Sequence, residues 1–149
     1  MKSLFDQATA EEVKQRMAHL QPESQHLWGK MSAAQMLAHC SVGIEVSLGD
    51  KFNRQVLLGK IFGRFAKASL FSGKPMGHSL PTAKNYVVAD DRELNAEREK
   101  LTGLIDRFQA GGPAGCTNNP HAFFGRLLAS EWAILNYIHL DHHLKQFGV

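Results

Sequence analysis

The sequence lacks a disulfide framework, a long apolar run and a large excess of either charge. Its two cysteines, Cys40 and Cys116, are far apart and form no CxxC pair, so reduced thiols are expected. No apolar run approaches the roughly 18 residues that a membrane span requires. The first residues turn polar and acidic before a signal-peptide core can form. We therefore expect a cytoplasmic protein that does not bind a membrane.

The charge balance gives little reason to expect a nucleic-acid partner. Lysine and arginine number 17 against 14 acidic residues, a net charge of +3. Hydrophobic residues make up 44% and charged residues 21%, which is close to ordinary globular usage. A chain of 149 residues is long enough to bury its own core, so residues 1–149 are predicted to form one domain.

Local signals predict helices along most of the chain and no strand beyond a short NYVVA stretch. Helix starts are indicated where a capping residue precedes a glutamate or glutamine by three positions. Glycine and proline mark the ends. Five helices are predicted. The first begins at Thr9 and ends before Pro22, the second runs from Ser32 to about Leu48, and the third covers 51–71. The fourth opens at Asp90 with Glu93 and ends near Gln109, and the last runs from Ser130 to Gln146. The predicted fold class is all-α.

The segment 51–71 reads as a basic amphipathic helix. Its apolar positions alternate with lysines and arginines, and a loop rich in proline and glycine follows. A helix packed on the rest of the domain is the favoured interpretation. The alternative is an interaction with a membrane surface or a nucleic acid, for which the apolar face would be exposed. The apolar positions are Val56, Leu57, Ile61, Phe65 and Leu70.

Three histidines carry the sharpest chemical signal. His139 and His143 are four residues apart in the last predicted helix, so both imidazoles lie on one face, in reach of one ion. His39 lies on the inward face of the second helix and can supply a third nitrogen. Several buried imidazoles are costly unless something satisfies their ring nitrogens. His142 is the rival of His143 as third ligand.

Two segments resemble the DinB/YfiT-like superfamily, in particular an uncharacterised DinB-like branch. They are WGKMSAAQMLAHC at 28–40 and HAFFGRLLASEWAILNYIHLDHHLKQFG at 121–148. The resemblance implies a four-helix bundle with a long crossover, here carrying the extra amphipathic helix. It also implies a divalent metal, often nickel or zinc, held by three histidines that match His39, His139 and His143. Some members of the superfamily resemble thiol transferases, so a low-molecular-weight thiol and a small-molecule substrate are further expectations.

Two functions from different classes follow. The first is a metal-dependent enzyme of hydrolase or thiol-transferase type with an open coordination position. The second is a non-catalytic, stress-related binding or scaffold protein whose metal site is structural or vestigial. Glu45 and Asp50 are considered as bases, but Glu45 is expected to be a solvated surface acid. Flat helical faces also make a homodimer a reasonable expectation.

Overall fold

The computed structural model describes residues 1–52, 54–78 and 84–149, and these residues form helices and turns without a strand. The predicted all-α class is confirmed. Short 3-10 helices at Lys84–Tyr86 and Gly112–Gly115 lie between the longer elements. Within these described ranges, the α-helices are α1 (Gln7–Ala18), α2 (Ala33–Leu48), α3 (Leu57–Leu70), α4 (Leu94–Gly111) and α5 (Ala129–Gln146).

Helix α2 begins and ends where its sequence predicts. The Ser32 hydroxyl accepts a hydrogen bond from the Gln35 backbone N–H at 3.2 Å. The Gln35 side-chain oxygen in turn accepts from the Ser32 backbone N–H at 3.0 Å, which completes the capping box. Gly49 ends the helix with φ of 85°, a left-handed conformation that glycine adopts without a steric penalty.

Other helix starts differ from their predictions. Helix α1 begins after Asp6, and Thr9 is buried inside its first turn instead of capping it. Helix α4 begins at Leu94 because the Glu93 carboxylate accepts from the N–H groups of the second and third helical residues, at 3.0 and 2.6 Å. The predicted NYVVA strand is wrong, since a 3-10 helix occupies its start.

The core lies between α1, α2, α4 and α5. Helix α2 contacts both α4 and α5, and α1 contacts the same two helices. Nearly the whole circumference of α2 is buried, as expected for a helix with apolar or small residues on all sides. Trp132 of α5 and Phe108 of α4 are the largest fully buried side chains. This position of α2 brings its midpoint against the inner face of α5.

Helix α3 is shorter than the predicted 51–71 helix and lies outside this core. It rests on the loop that precedes α5, where the Val56 N–H donates to the Ala122 carbonyl oxygen at 2.9 Å. Of the five predicted apolar positions, only Leu70 is buried. The expectation that this apolar face packs on the domain is therefore wrong. Among the described residues, no helix has the length and apolar composition needed to cross a lipid bilayer.

Candidate metal centre

The structure brings His39, His139 and His143 to one point between α2 and α5. Each offers one ring nitrogen, and the three nitrogens lie within 4.8 Å of one another. The Nε2 atoms of His39 and His139 are 2.9 Å apart. His39 and His143 are buried, and His139 is partly buried. The geometry is that of a group able to hold a metal ion.

Hydrogen bonds orient two of the three imidazoles. His39 Nδ1 lies 2.9 Å from the Tyr86 carbonyl oxygen. His143 Nδ1 lies 2.8 Å from Oε1 of Gln146, whose Nε2 donates to the Trp28 carbonyl oxygen at 2.6 Å. Because a carbonyl or amide oxygen can only accept, both Nδ1 atoms must carry the proton. The lone pair of each ring is then on Nε2, one of the two ring nitrogens through which histidine binds metals.

The ring of His139, the third imidazole, fits against α2 because the residue that faces it there is Gly43. A Cβ atom at position 43 would lie 3.2 Å from His139 Nδ1, closer than nine in ten real contacts of a Cβ atom. Gly43 is in the buried interior of α2, four residues after His39. The missing side chain thus allows the His139 ring to approach α2 beside the His39 ring, at 4.8 Å between ring centres.

The electrostatic environment keeps these imidazoles neutral at ordinary pH. Burial lowers the pKa of His39, although its bond to the Tyr86 carbonyl acts in the opposite direction. Burial and the neighbouring His143 and His39 hold the pKa of His139 well below its usual value. Burial, with the charge of His39, lowers the pKa of His143 to about 3. The neutral form is the one that ligates metals.

His142 belongs to a different cluster of rings. Trp28 stacks on His78, with ring centres 3.9 Å apart and planes 9° apart, and the His142 ring centre lies 5.5 Å from that of Trp28. Burial and the neighbouring His78 lower the pKa of His142. The three ring nitrogens that lie close together are those of His39, His139 and His143, and His142 is not among them.

A family model matches nearly the whole chain. The model of a family described as "Protein of unknown function (DUF1569)" matches residues 2–148. The chain belongs to the DUF1569 family. Comparison with curated proteins and with solved structures gave no match. The DUF1569 description states no activity.

A cavity of about 280 Å³ lies beside the histidine group of this DUF1569 protein. Its wall combines aromatic rings with charged groups, among them Trp28, Tyr137, Lys74 and Asp141. The three clustered histidines do not line it. His142 does line the cavity, and its ring centre lies 5.0 Å from that of His143.

The two acids considered as bases are held by cations in the DUF1569 chain. Glu45 is buried, which corrects the expectation of a solvated surface acid, and its carboxylate pairs with Lys51 at 2.6 Å and Lys100 at 2.9 Å. Burial by itself raises the pKa of Glu45, but the hydrogen bonds from the two lysines outweigh this effect, so the pKa lies below its usual value. Asp50 accepts two bonds from Arg107, at 2.6 and 2.8 Å, and these lower the pKa of its carboxyl. Both acids therefore have structural partners.

The thiols of the DUF1569 chain are not activated. Cys40 is fully buried beside His39 on α2, and burial strongly raises its pKa. Cys116 is partly buried, and burial raises its pKa as well. Since the thiolate is the nucleophilic form, neither residue has the environment of a reactive cysteine.

The sequence alone did not assign Gly43, Gln146 and Tyr86 to the site. A signal existed for two of them, because Gly43 follows His39 by four residues and Gln146 follows His143 by three, which puts each on the histidine face of its helix. Tyr86 contributes a backbone oxygen from a distant turn. No side-chain pattern marks such a group.

Proposed function

We propose that this protein is a divalent-metal-dependent enzyme of hydrolase or thiol-transferase type, with His39, His139 and His143 as its metal ligands. The observation that supports the proposal most is the convergence of three neutral imidazoles within 4.8 Å. Two of them have Nδ1 bound to an oxygen, which leaves the lone pair of each ring on Nε2. Buried ring nitrogens without a partner would destabilise the fold, and a shared cation satisfies all three.

The ligand set favours a catalytic over a structural metal site. Structural zinc sites have four protein ligands, whereas catalytic sites keep a position for water or substrate. Within the described part of the chain, no cysteine or carboxylate joins the three histidines as a fourth ligand. Imidazole nitrogens suit nickel and zinc, which are the metals we propose. A bound ion of this kind lowers the pKa of a water or thiol ligand enough to give a nucleophile near neutral pH.

The chain's own residues orient the ligands and shape the substrate space. The Tyr86 carbonyl and the Gln146 side chain fix the tautomers of His39 and His143. The neighbouring cavity is lined by Trp28 and Tyr137 together with Lys74. This combination fits a small molecule with an apolar part and a carboxylate, the chemistry expected of a low-molecular-weight thiol.

The packing of the helices supports the resemblance to the DinB/YfiT-like fold. Helices α1, α2, α4 and α5 contact one another in the pattern of a bundle, and α3 lies in the connection between α2 and α4. We propose that these four helices are the bundle and that the connection is its long crossover.

A second candidate function is a non-catalytic binding protein with a structural metal. The pairing of Glu45 with two lysines, and of Asp50 with Arg107, favours this candidate. Neither carboxylate is available as a proton acceptor near the histidine group. A structural role predicts that removal of the metal lowers the melting temperature sharply.

Metal content of matched histidine variants tests the proposal. Protein prepared without an affinity tag is expected to contain about one zinc or nickel ion per chain, and His143→Ala should lose it. His142→Ala, which changes the adjacent residue outside the group, is the control and should retain the ion. Unchanged melting of metal-free His143→Ala favours an enzyme, whereas collapse of the fold favours the structural role. Equal metal loss in both variants would contradict the ligand assignment.

A further inference from the structure

Helix α3 contacts the protein through its glycines. A Cβ atom at Gly59 would lie 2.5 Å from the Phe123 carbonyl oxygen, and one at Gly63 would lie 2.3 Å from the same atom. The bare backbone of α3 is therefore in contact with the backbone of the loop before α5. Lys67 fixes the other end through an ion pair with Glu131 at 2.7 Å.

The opposite face of α3 presents large apolar side chains to solvent. At about 100° per residue, these side chains occupy one continuous arc of roughly 140°. An amphipathic helix of a globular domain ordinarily turns such an arc inward. Contiguous exposed apolar surface of this kind marks an interaction site. The exposed side chains are Leu57 (73%), Leu58 (62%), Ile61 (53%), Phe62 (53%) and Phe65 (64%).

The charged residues of the segment that contains this face all have one sign. Residues 51–89 contain seven of the 17 basic residues and none of the 14 acids, so the remainder of the chain has more acids than bases. Lys60 and Arg64 are exposed, and the Arg64 guanidinium lies 5.2 Å from the centre of the Phe65 ring. Basic groups thus border the apolar arc directly. The seven are Lys51, Arg54, Lys60, Arg64, Lys67, Lys74 and Lys84.

We propose that α3 binds the surface of an anionic lipid bilayer. The helix lies in the plane of the surface, with Phe62 and Phe65 among the acyl chains and with Lys60 and Arg64 at the lipid phosphates. A short helix with a strong apolar face and a basic border has the composition of interfacial membrane helices. At 14 residues it would extend about 21 Å along the surface.

Charge complementarity selects the lipid surface over two other occupants. A second copy of this chain would bring the same uniformly basic segment against itself, which opposes pairing through this face. A nucleic acid would complement the basic residues, but it would leave five exposed apolar side chains without a role. An anionic bilayer satisfies both features. The proposal departs from the expectation of no membrane partner and is independent of the metal site.

Vesicle flotation with the full-length protein tests the proposal. Wild-type protein is expected to float with phosphatidylcholine vesicles containing about 30% phosphatidylglycerol, and not with pure phosphatidylcholine. Lys60→Gln with Arg64→Gln should weaken partitioning by about 30-fold, since each basic residue near an anionic surface contributes about fivefold. Phe62→Glu with Phe65→Glu should abolish flotation. Both pairs change exposed side chains, so the fold is expected to remain intact.

A matched pair of exposed leucines outside α3 provides the control. Leu27→Glu with Leu128→Glu adds the same charge at side chains that are 71% and 68% exposed, and flotation should stay close to wild type. Failure of wild-type protein to bind anionic vesicles would overturn the proposal. Flotation of the Phe62→Glu, Phe65→Glu variant at the wild-type level would also overturn the proposal. If the wild-type protein forms a dimer that the same two substitutions dissociate, and it does not bind vesicles, the face belongs to a contact with a second copy instead.

Discussion

The Nε2 atoms of His39 and His139 lie 2.9 Å apart although the two residues are separated by 100 positions in the chain. The Nδ1 atom of His39 donates to the Tyr86 carbonyl, so its Nε2 atom has a lone pair and no proton. The facing nitrogen must then either donate a proton to it or share a cation with it. This pair of atoms is the structural basis of the proposed metal site.

Gln146 is expected to control the affinity of the site for metal. Gln146→Leu removes the acceptor of the His143 Nδ1 proton, so metal affinity should fall by about 10- to 100-fold. Gln146→Glu restores an acceptor and should recover most of that affinity. Competition with a chromophoric chelator measures both. The account is contradicted if Gln146→Leu binds zinc as tightly as the wild type.

Gly43 is expected to matter for His139 and not for helix formation. Gly43→Ala places a methyl group 3.2 Å from His139 Nδ1, which should displace the ring and weaken metal binding by about tenfold or more. Gly103→Ala is the matched control, because a Cβ atom there meets nothing within 4 Å. That control should gain about 0.5–1 kcal/mol of stability with unchanged metal binding. Equal metal affinity in both variants would rule out the steric role of position 43.

The metal-free protein should lose stability as the pH falls below about 6.5. Burial lowers the pKa of His143 to about 3 and that of His121 to about 4. Between those values and 6.5 the unfolded chain takes up protons that the folded chain does not, so the free energy of unfolding rises with pH. Each such histidine contributes a slope of up to about 1.4 kcal/mol per pH unit. Denaturant unfolding at pH 7.5 and pH 5 measures the difference, and equal stability at both would refute the prediction.

Glu45 is expected to stabilise the fold without acting in the metal site. Glu45→Gln weakens its ion pairs with Lys51 and Lys100 at the end of α2 and should lower stability by about 1–3 kcal/mol. Its metal content should match that of the wild type. Thermal unfolding and elemental analysis of the same preparation test both statements. A variant that is fully stable but depleted of metal would show that the assignment is wrong.

The ends of α2 and the histidine faces were predictable because they depend on residues close in sequence. The Ser32 and Gln35 capping box and the spacing of His139 and His143 are local patterns with direct structural meaning. The environment of Glu45 was not predictable, because Lys100 reaches it from another helix. A periodic pattern shows that a helix has an apolar face and does not show what that face contacts.

Helix α3 illustrates this limit. Its apolar periodicity correctly predicts an amphipathic helix, but the contact with the protein is made by Gly59 and Gly63. Those glycines meet the backbone of Phe123, about 60 residues further along the chain. No local sequence signal distinguishes a helical glycine that packs against another backbone segment from one that only weakens the helix.

Anomalous scattering from crystals of protein purified without a tag tests the central claim most directly. Data collected on either side of the absorption edge of the metal found by elemental analysis should show one peak per chain. The account predicts that this peak lies about 2.0–2.1 Å from the Nε2 atoms of His39, His139 and His143. A peak at other residues, or a protein that binds neither zinc nor nickel when these are supplied, would contradict it.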